Sequence, residues 1–467
     1  MLSAVLLFND LSRPGLPSND DCAKAQRGWE MYKSGDWLTP QLAGKPNFDH
    51  PPLYVGMLAA SQAVFGKIEF AARFPGALCA FLVILTVYLL GVELEGKRIG
   101  WLAAFLLLTS YIFLKVSRRV QADIPFMLFA SLALLFFLRA LHKLDDKDGI
   151  KNAGIWKEFL SFGVCAGLCG LIKSVFFIFP LGLPFIVLLV QRRLFKIKVL
   201  LPLMVSSFLA VVIAGWWYLY EFLSFKDKFV NEFLGKFLKH HATGGSGMGK
   251  YGYFGYVYEF TRHFLPWLPL LLLSVWWIAR NKKLRHDSRI HLLSLYFAVP
   301  FVSLSLFGDK AVRYIVFTFV PVVLIIALSI TESIRKDRLA KFMGICLILF
   351  YIIAAFVIIR PVDYDNVANE SYIKLSDMLE KGRINIPANV PIYHYGMNAD
   401  IRANYRGLLY YAERELAGML RTDQDVTERM KNPESFYLIV DKKDMTGFLS
   451  GNLRIKADLG KSLLMFR

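Results

Sequence analysis

At 467 residues, 55% hydrophobic and 15% aromatic, with a mean hydropathy of +0.43, the chain is too apolar for a soluble protein and reads as a polytopic membrane protein. Its 55 Lys and Arg against 37 Asp and Glu leave a net charge of +18. In a soluble chain that excess would point to nucleic acid; in a membrane chain it marks cytoplasmic loops, so the expected surroundings are membrane and no nucleic acid.

Met1 to Phe8 is apolar, but Asn9, Asp10, Arg13, Pro14 and Pro17 follow at once. The opening run is therefore far short of a spanning helix and reads as a truncated start or a tilted partial helix. No basic start with a small-residue exit marks a cleavable signal peptide. Asn19-Asp20-Asp21 then opens a polar segment in otherwise membrane-grade sequence, an expensive place for charge unless it is used. Ser34-Gly35-Asp36-Trp37-Leu38-Thr39-Pro40 and Phe48-Asp49-His50-Pro51-Pro52-Leu53 continue it through residues 19–53. Between them, Cys22 to Lys33 is expected as a short amphipathic helix with Trp29, Met31 and Tyr32 at the interface.

Apolar runs follow at Ala77–Leu94, Ile99–Leu114, Ile124–Leu138, Phe159–Ile172, Val175–Val190, Val199–Tyr220, Phe264–Ala279, Ile290–Phe307, Tyr314–Ile330 and Phe342–Ile359, about eleven spans with the opening one. Cys79, Cys165, Cys169 and Cys346 sit inside these runs and Cys22 beside the acidic pair, which offers neither a disulfide framework nor a zinc spacing.

Threading the spans alternately collects Lys97-Arg98, Arg139 to Lys157, Arg192 to Lys198, Arg280 to Arg289 and Arg335 to Lys341 on one side, which the excess of Lys and Arg assigns to the cytoplasm. The other side receives Asp20-Asp21, Arg119 to Asp123, the turn at Lys173-Ser174, the loop 221–263, Gly308 to Arg313 and everything after Arg360. Chemistry there is extracytoplasmic, where ATP and nucleotide-activated donors are scarce, so a lipid-linked donor is the natural expectation. In the long loop, Gly244 to Lys250 formally fits a phosphate-binding loop. Tyr251 stands where Ser or Thr is required and no strand precedes it, so the segment suits a mobile flap or an unstructured loop with interfacial aromatics instead. From Pro361 the composition changes. Pro391 to Tyr395 and Ser435 to Asp441 read as strands, and Glu370 to Lys381 and Ala403 to Leu416 as helices, giving one small extracytoplasmic α/β domain over residues 361–467 behind a membrane domain over 1–360.

Asp20-Asp21, Gly35 to Pro40, Phe48 to Leu53, Ala72-Arg73-Phe74-Pro75, Asp123, Leu171-Ile172-Lys173 and Ser305 to Tyr314, in this order, resemble the integral-membrane glycosyltransferases with the GT-C fold. The likeness is to the branch of lipid A aminoarabinose transferases and polyprenyl-phosphate mannosyltransferases, and it runs from about Asp20 to Ile330. It implies transfer of a sugar from an undecaprenyl (polyprenyl) phosphate to a lipid A-like, glycan or protein acceptor on the periplasmic side of the bacterial inner membrane. By the same resemblance Asp20, Asp21 and Asp123 match the acidic catalytic positions, and Lys173, Arg313 and Tyr314 surround the donor phosphate. His50 stands where the family usually has Lys before the Pro-Pro pair, and the first span is abbreviated.

Residue chemistry points the same way. Asp20 is the candidate base for the acceptor proton, and Lys173, Lys310, Arg313 and Arg119 are the cations available to the leaving phosphate. Beside these stand plainer roles: Asp20-Asp21 and Asp123 as helix caps, Lys173 as a snorkelling interface lysine, Lys310 and Arg313 as loop charges, His50 as a neutral hydrogen-bonding residue. No cofactor is indicated beyond a divalent cation, which the two acidic sites could bind but no ligand spacing demands. A lipid or glycolipid transporter is the alternative, but it would show charges or broken helices near the midplane and some internal repeat; no convincing repeat is present in the sequence and the mid-span positions are nearly free of charge.

Overall fold

The computed structural model of the chain describes residues 6–13, 15–145, 152–237, 252–307, 310–333, 370–396 and 401–467. Among these, the helices α1 (Asn19–Ser34), α2 (Pro52–Phe65), α3 (Glu69–Glu95), α4 (Lys97–Leu108), α5 (Tyr111–Ser117), α6 (Asp123–Asp145) and α7 (Asn152–Gly170) are followed by α8 (Ile178–Val190), α9 (Ile197–Phe237), α10 (Gly255–His263), α11 (Leu268–Arg280), α12 (Ser288–Leu306) and α13 (Phe319–Ser333). Among the described residues, five segments are long and apolar enough to cross a membrane, or seven if each of two sharply bent pairs is one span. The bends are 69° between α4 and α5 and 108° between α10 and α11. The expected run Ile99–Leu114 is thus a broken helix, Pro52–Phe65 and Val175–Val190 are shorter apolar helices, and Phe342–Ile359 and the Gly244–Lys250 segment lie outside the described residues. The two bends meet: Trp267, just before α11, donates its indole N–H to Thr109 Oγ1, just after α4, at 2.8 Å.

Tight packing of α7 on α9 follows from small residues. A Cβ added to Gly163 would lie 2.3 Å from the backbone oxygen of Ser206, and one added to Gly170 would lie 2.5 Å from Ala214 Cβ. The backbones approach this closely because nothing projects between them, the usual means of association where lipid supplies no hydrophobic drive.

Helix α1 starts earlier than the sequence implies. Ser18 is its N-cap, accepting from Asp21 N at 3.2 Å, so Asp20 and Asp21 lie in the first turn, where the helix dipole favours negative charge. Gly35, at φ 71°, ends it in the left-handed region. The segment after it is clamped to α9, where Trp217 donates to Leu38 O at 2.8 Å and Phe48 packs on Phe225 and Phe229. Here the structure corrects the expected loop 221–263: residues 221–237 continue α9 with a break at Lys226 (φ 44°), and Gly255–His263 is helical too. Phe222, Phe225, Phe229 and Phe233 recur at helical spacing, and three of them pack with Phe48 or Tyr218.

The C-terminal part holds helix α14 (Glu370–Glu380), helix α15 (Ile401–Ala412) and a five-stranded sheet of β1 (Ile392–Tyr395), β2 (Leu416–Leu420), β3 (Tyr437–Asp441), β4 (Arg454–Asp458) and β5 (Ser462–Phe466) in the order β2-β1-β3-β5-β4. The first three are parallel, and β5 is antiparallel to β3 and β4. Both expected strands are present; Leu416 begins a strand rather than ending a helix. Helix α15 rests on α1. The Tyr411 hydroxyl accepts from Leu16 N at 2.7 Å and donates to Glu69 Oε1 at 3.3 Å, and Lys67 pairs with Glu413 at 3.0 Å.

Replacing Gly163 by Ala forces a methyl onto the Ser206 carbonyl, a backbone atom that cannot swing aside. Overpacking of this kind costs about 1–3 kcal/mol. A lowered thermal midpoint of purified Gly163→Ala in detergent is expected, and an unchanged midpoint would show that α7 and α9 separate without cost.

Candidate active site

Asp21 is fully buried, and its carboxylate receives five donors. Ser18 Oγ, Arg119 Nη2 (2.5 Å) and Arg119 Nε (3.2 Å) serve Oδ2; Val120 N and Gln121 Nε2, both at 3.0 Å, serve Oδ1. A buried carboxylate with this many donors is held in place, and it fastens the start of α1 to the turn between α5 and α6. Both Asp21 and Arg119 are occupied by this contact.

Asp20, the neighbouring residue on the same turn, faces the other way and is about a third exposed. Lys24 Nζ, one turn further along α1 and 3% exposed, bridges Asp20 Oδ2 at 2.5 Å and Gln121 Oε1 at 2.7 Å. Burial alone would push the Asp20 carboxyl up; Lys24 and then Arg313 overcome it and hold the group far below the usual carboxylate range.

Asp123 begins α6 and Lys173 lies in the turn between α7 and α8. Their side chains meet at 2.6 Å, with the ammonium 3.9 Å from the Phe176 ring centre and 4.3 Å from that of Tyr314. Burial pulls the Lys173 ammonium down to about 8, against the opposing pull of Asp123. Arg313, from the segment before α13, joins the two halves: its guanidinium is 3.7 Å from Asp20 and 3.9 Å from Asp123, and 5.1 Å from the Tyr314 ring centre. These distances are ion pairs without hydrogen bonds, so Arg313 is attracted to both carboxylates and committed to neither.

The expected residues Asp20, Asp21, Asp123, Arg119, Lys173, Arg313 and Tyr314 thus converge from α1, the α5–α6 turn, α6, the α7–α8 turn and the segment before α13. Lys310 does not join them: its ammonium donates to Phe307 O at 2.8 Å and packs toward Tyr253. Burial, with Arg27 and Lys24 beside it, pulls the His50 imidazole down to about 3, which makes it a neutral group at physiological pH. The sequence reading passed over Lys24, Gln121 and the pair Arg27–Asp49 (2.9 Å); the spacing of Asp20, Lys24 and Arg27 at i, i+4 and i+7 on one helix face was the signal available. Asp20 and Asp123 are already paired with Lys24, Lys173 and Arg313, and among the described residues no three His, Cys, Asp or Glu side chains gather as ligands.

Solved structures share this architecture. The chain superposes over 100% of its length on ArnT from Cupriavidus metallidurans in the apo state, covering 96% of that chain with a TM-score of 0.74 at 16% identity, and equally on the same protein bound to undecaprenyl phosphate. The Archaeoglobus fulgidus oligosaccharyltransferase matches 94% of this chain and 69% of its own, with a TM-score of 0.58 at 14% identity. The molecule is therefore a polytopic membrane protein with the GT-C fold of integral-membrane glycosyltransferases. More particularly, residues 49–218 match the family model described as dolichyl-phosphate-mannose-protein mannosyltransferase. Relatives include an uncharacterized protein of Aquifex aeolicus (24% identical, 74% of this chain, 65% of the relative) and the undecaprenyl phosphate-alpha-4-amino-4-deoxy-L-arabinose arabinosyl transferase of Pseudomonas savastanoi (28% identical, 72% of this chain, 62% of the relative). The chain spans just under two thirds of the length of these relatives.

The Lys173 ammonium is charged below about 8 and neutral above it, so affinity for a phosphate held there should fall as pH rises from 7 to 9. Lys173→Arg keeps its charge across that range and should flatten the alkaline limb. Binding of undecaprenyl phosphate measured against pH in both proteins checks this; identical limbs would remove Lys173 from the contact.

Proposed function

We propose that this chain transfers a sugar from an undecaprenyl or related polyprenyl phosphate to a lipid A-like, glycan or protein acceptor at the periplasmic face of the bacterial inner membrane. The observation that carries the reading is Arg313 standing between Asp20 and Asp123 with Lys173 beside it. A guanidinium shared between two carboxylates, with an ammonium beside it, suits a reaction in which phosphate leaves and a hydroxyl attacks. The names of the relatives and the undecaprenyl phosphate bound to ArnT support the donor class. The side of the membrane is supported by α6, which runs from Asp123 to a basic end at Arg139 and Lys143, and by α12, which runs from Arg289 toward Lys310.

In this reading Lys173 and Arg313 hold the donor phosphate, with Tyr314 as the aromatic wall of that site. The bond from the anomeric carbon to the phosphate oxygen breaks, the carbon bonds to the acceptor oxygen, and the acceptor proton passes to Asp20; polyprenyl phosphate leaves with the electron pair. A carboxylate held as low as Asp20 is a weak base while Lys24 and Arg313 face it. Donor phosphate drawing Arg313 away raises its basicity, so base strength rises when the donor is in place. Asp123 orients Lys173, and Asp21 with Arg119 positions Asp20. Residues 1–360 form the catalytic membrane domain and 361–467 an α/β domain on the same outer side. The contacts of Tyr411 with Leu16 and Glu69 support that placement.

Asp20→Asn keeps the shape of the side chain and removes the base. With purified protein, a panel of polyprenyl phosphate sugars and candidate acceptors, kcat should fall ~10²–10⁴-fold while donor binding persists. Full transfer by the mutant would remove Asp20 as base, and no transfer by the wild type from any donor would favour a transporter.

A further inference from the structure

A cavity of about 210 Å³ stands where α6 and α8 end and α9 begins. Asp123 opens the 23-residue α6 and Leu144, in its last turn, lines the cavity. At about 1.5 Å per residue this is roughly 30 Å from the Asp123 end, the thickness of a hydrocarbon core. None of the transfer residues lines it. The backbone shapes the place: α8 stops at Val190, and Arg192, in the left-handed region at φ 55°, turns the chain so that Arg193 N and Leu194 N reach Leu188 O at 2.8 and 3.2 Å. Lys196 O then accepts from Val199 N and Leu200 N at 2.8 and 2.9 Å, which starts α9.

The lining is of two kinds. Leu144, Leu188 and Val199 are apolar, and Arg193, Lys196 and Lys198 are cations; among the described residues no carboxylate lines the cavity. Arg193 is paired with Asp145. Lys196 and Lys198 are exposed, and among the described residues neither meets a carboxylate. Lysines at the start of a helix oppose its dipole, so they add to the positive potential there instead of cancelling it. Phe195 and Ile197 alternate with these lysines and are 79% and 68% exposed, a pattern that sets the turn against lipid. From Ile197, which also lines the cavity, Leu201, Met204, Val205 and Phe208 follow at i+4, i+7, i+8 and i+11, all exposed on one face of α9. The stripe is about 16 Å long, close to the depth of one leaflet.

A positive hollow that continues into an apolar helix face matches a lipid in both its parts. A zwitterionic headgroup brings its own cation to the lysines, whereas an anionic one neutralises them. We propose that this cavity binds an anionic phospholipid of the leaflet remote from the transfer site, its phosphodiester held by Lys196 and Lys198 and an acyl chain laid along Leu201, Val205 and Phe208. The proposal does not rest on the transferase reading, and its test uses neither donor nor acceptor.

Native mass spectrometry of the purified full chain, titrated in detergent with phosphatidylglycerol, phosphatidylcholine of the same chains, glycerophosphoglycerol and undecaprenyl phosphate, reads the binding directly. Phosphatidylglycerol should bind at least ~10-fold more tightly than phosphatidylcholine, the order expected of two lysines acting on a lipid charge, and more tightly than the chain-free headgroup. Lys196→Gln combined with Lys198→Gln should lose that preference, and Lys196→Arg combined with Lys198→Arg should keep it. Lys97→Gln combined with Arg98→Gln, which removes the same charge from exposed positions at the start of α4, should also keep it. In the wild type, raising ammonium acetate about tenfold should reduce the preference, which carries the test where the glutamine pair does not fold. An unchanged preference in the glutamine pair at Lys196 and Lys198, equal loss in the pair at Lys97 and Arg98, or no response to salt would overturn the proposal. Glycerophosphoglycerol binding as tightly as the lipid, or undecaprenyl phosphate displacing phosphatidylglycerol at equal concentration, would overturn it as well.

Discussion

The arrangement depends on one buried anion. Asp21 draws donors from its own helix cap, from Arg119 and from Val120 and Gln121, and so ties the beginning of α1 to the turn that leads into α6. Because Asp20 is the next residue on the same turn and Asp123 follows Gln121 by two, one fastening sets the relation between the two carboxylates that face each other across Arg313. A buried charge is tolerated only when fully compensated, and the five donors make Asp21 a fixed reference point for a site otherwise assembled from distant segments.

That division of labour explains how adjacent, identical side chains come to differ. Two aspartates in sequence point about 100° apart on a helix, so one is fully buried and the other partly exposed. The interior one is saturated. The outer one meets ammonium and guanidinium groups that are themselves divided among several partners, Lys24 between Asp20 and Gln121, Arg313 between Asp20 and Asp123. Shared cations of this kind are the ones a phosphate can recruit without leaving a carboxylate stranded.

Much of this was legible in the amino-acid sequence, and the omissions have physical causes. Charges in an apolar chain stand out because the bilayer penalises them, so Asp20, Asp123, Lys173 and Arg313 were visible as residues that needed a reason. Lys24 and Arg27 were not, since basic residues on a short amphipathic helix look like a solvated face, and their burial against Gln121 and Asp49 is a tertiary fact. Lys310 failed for the opposite reason: its place in the sequence beside Arg313 said nothing of direction, and its ammonium turns to Phe307 O. The helical continuation of α9 beyond Glu221 was hidden by its polar residues, because Phe225 and Phe229, which pack under Phe48, are readable as a buried face only when that partner is known. Strands β2, β4 and β5 were missed because short segments such as Arg454–Asp458, exposed at most positions, lack a clean alternation.

The bond from Trp267 to Thr109 has a further meaning. It joins the elbows of two separate broken helices, and the shorter arm of one of them, α10, also reaches the Arg313 segment through the Tyr256 hydroxyl and Ala311 O at 3.3 Å. Parting the two elbows would give up the indole contact, worth about 1 kcal/mol. A single indole thus holds two bent spans at a common point, so the positions of both bends are set together.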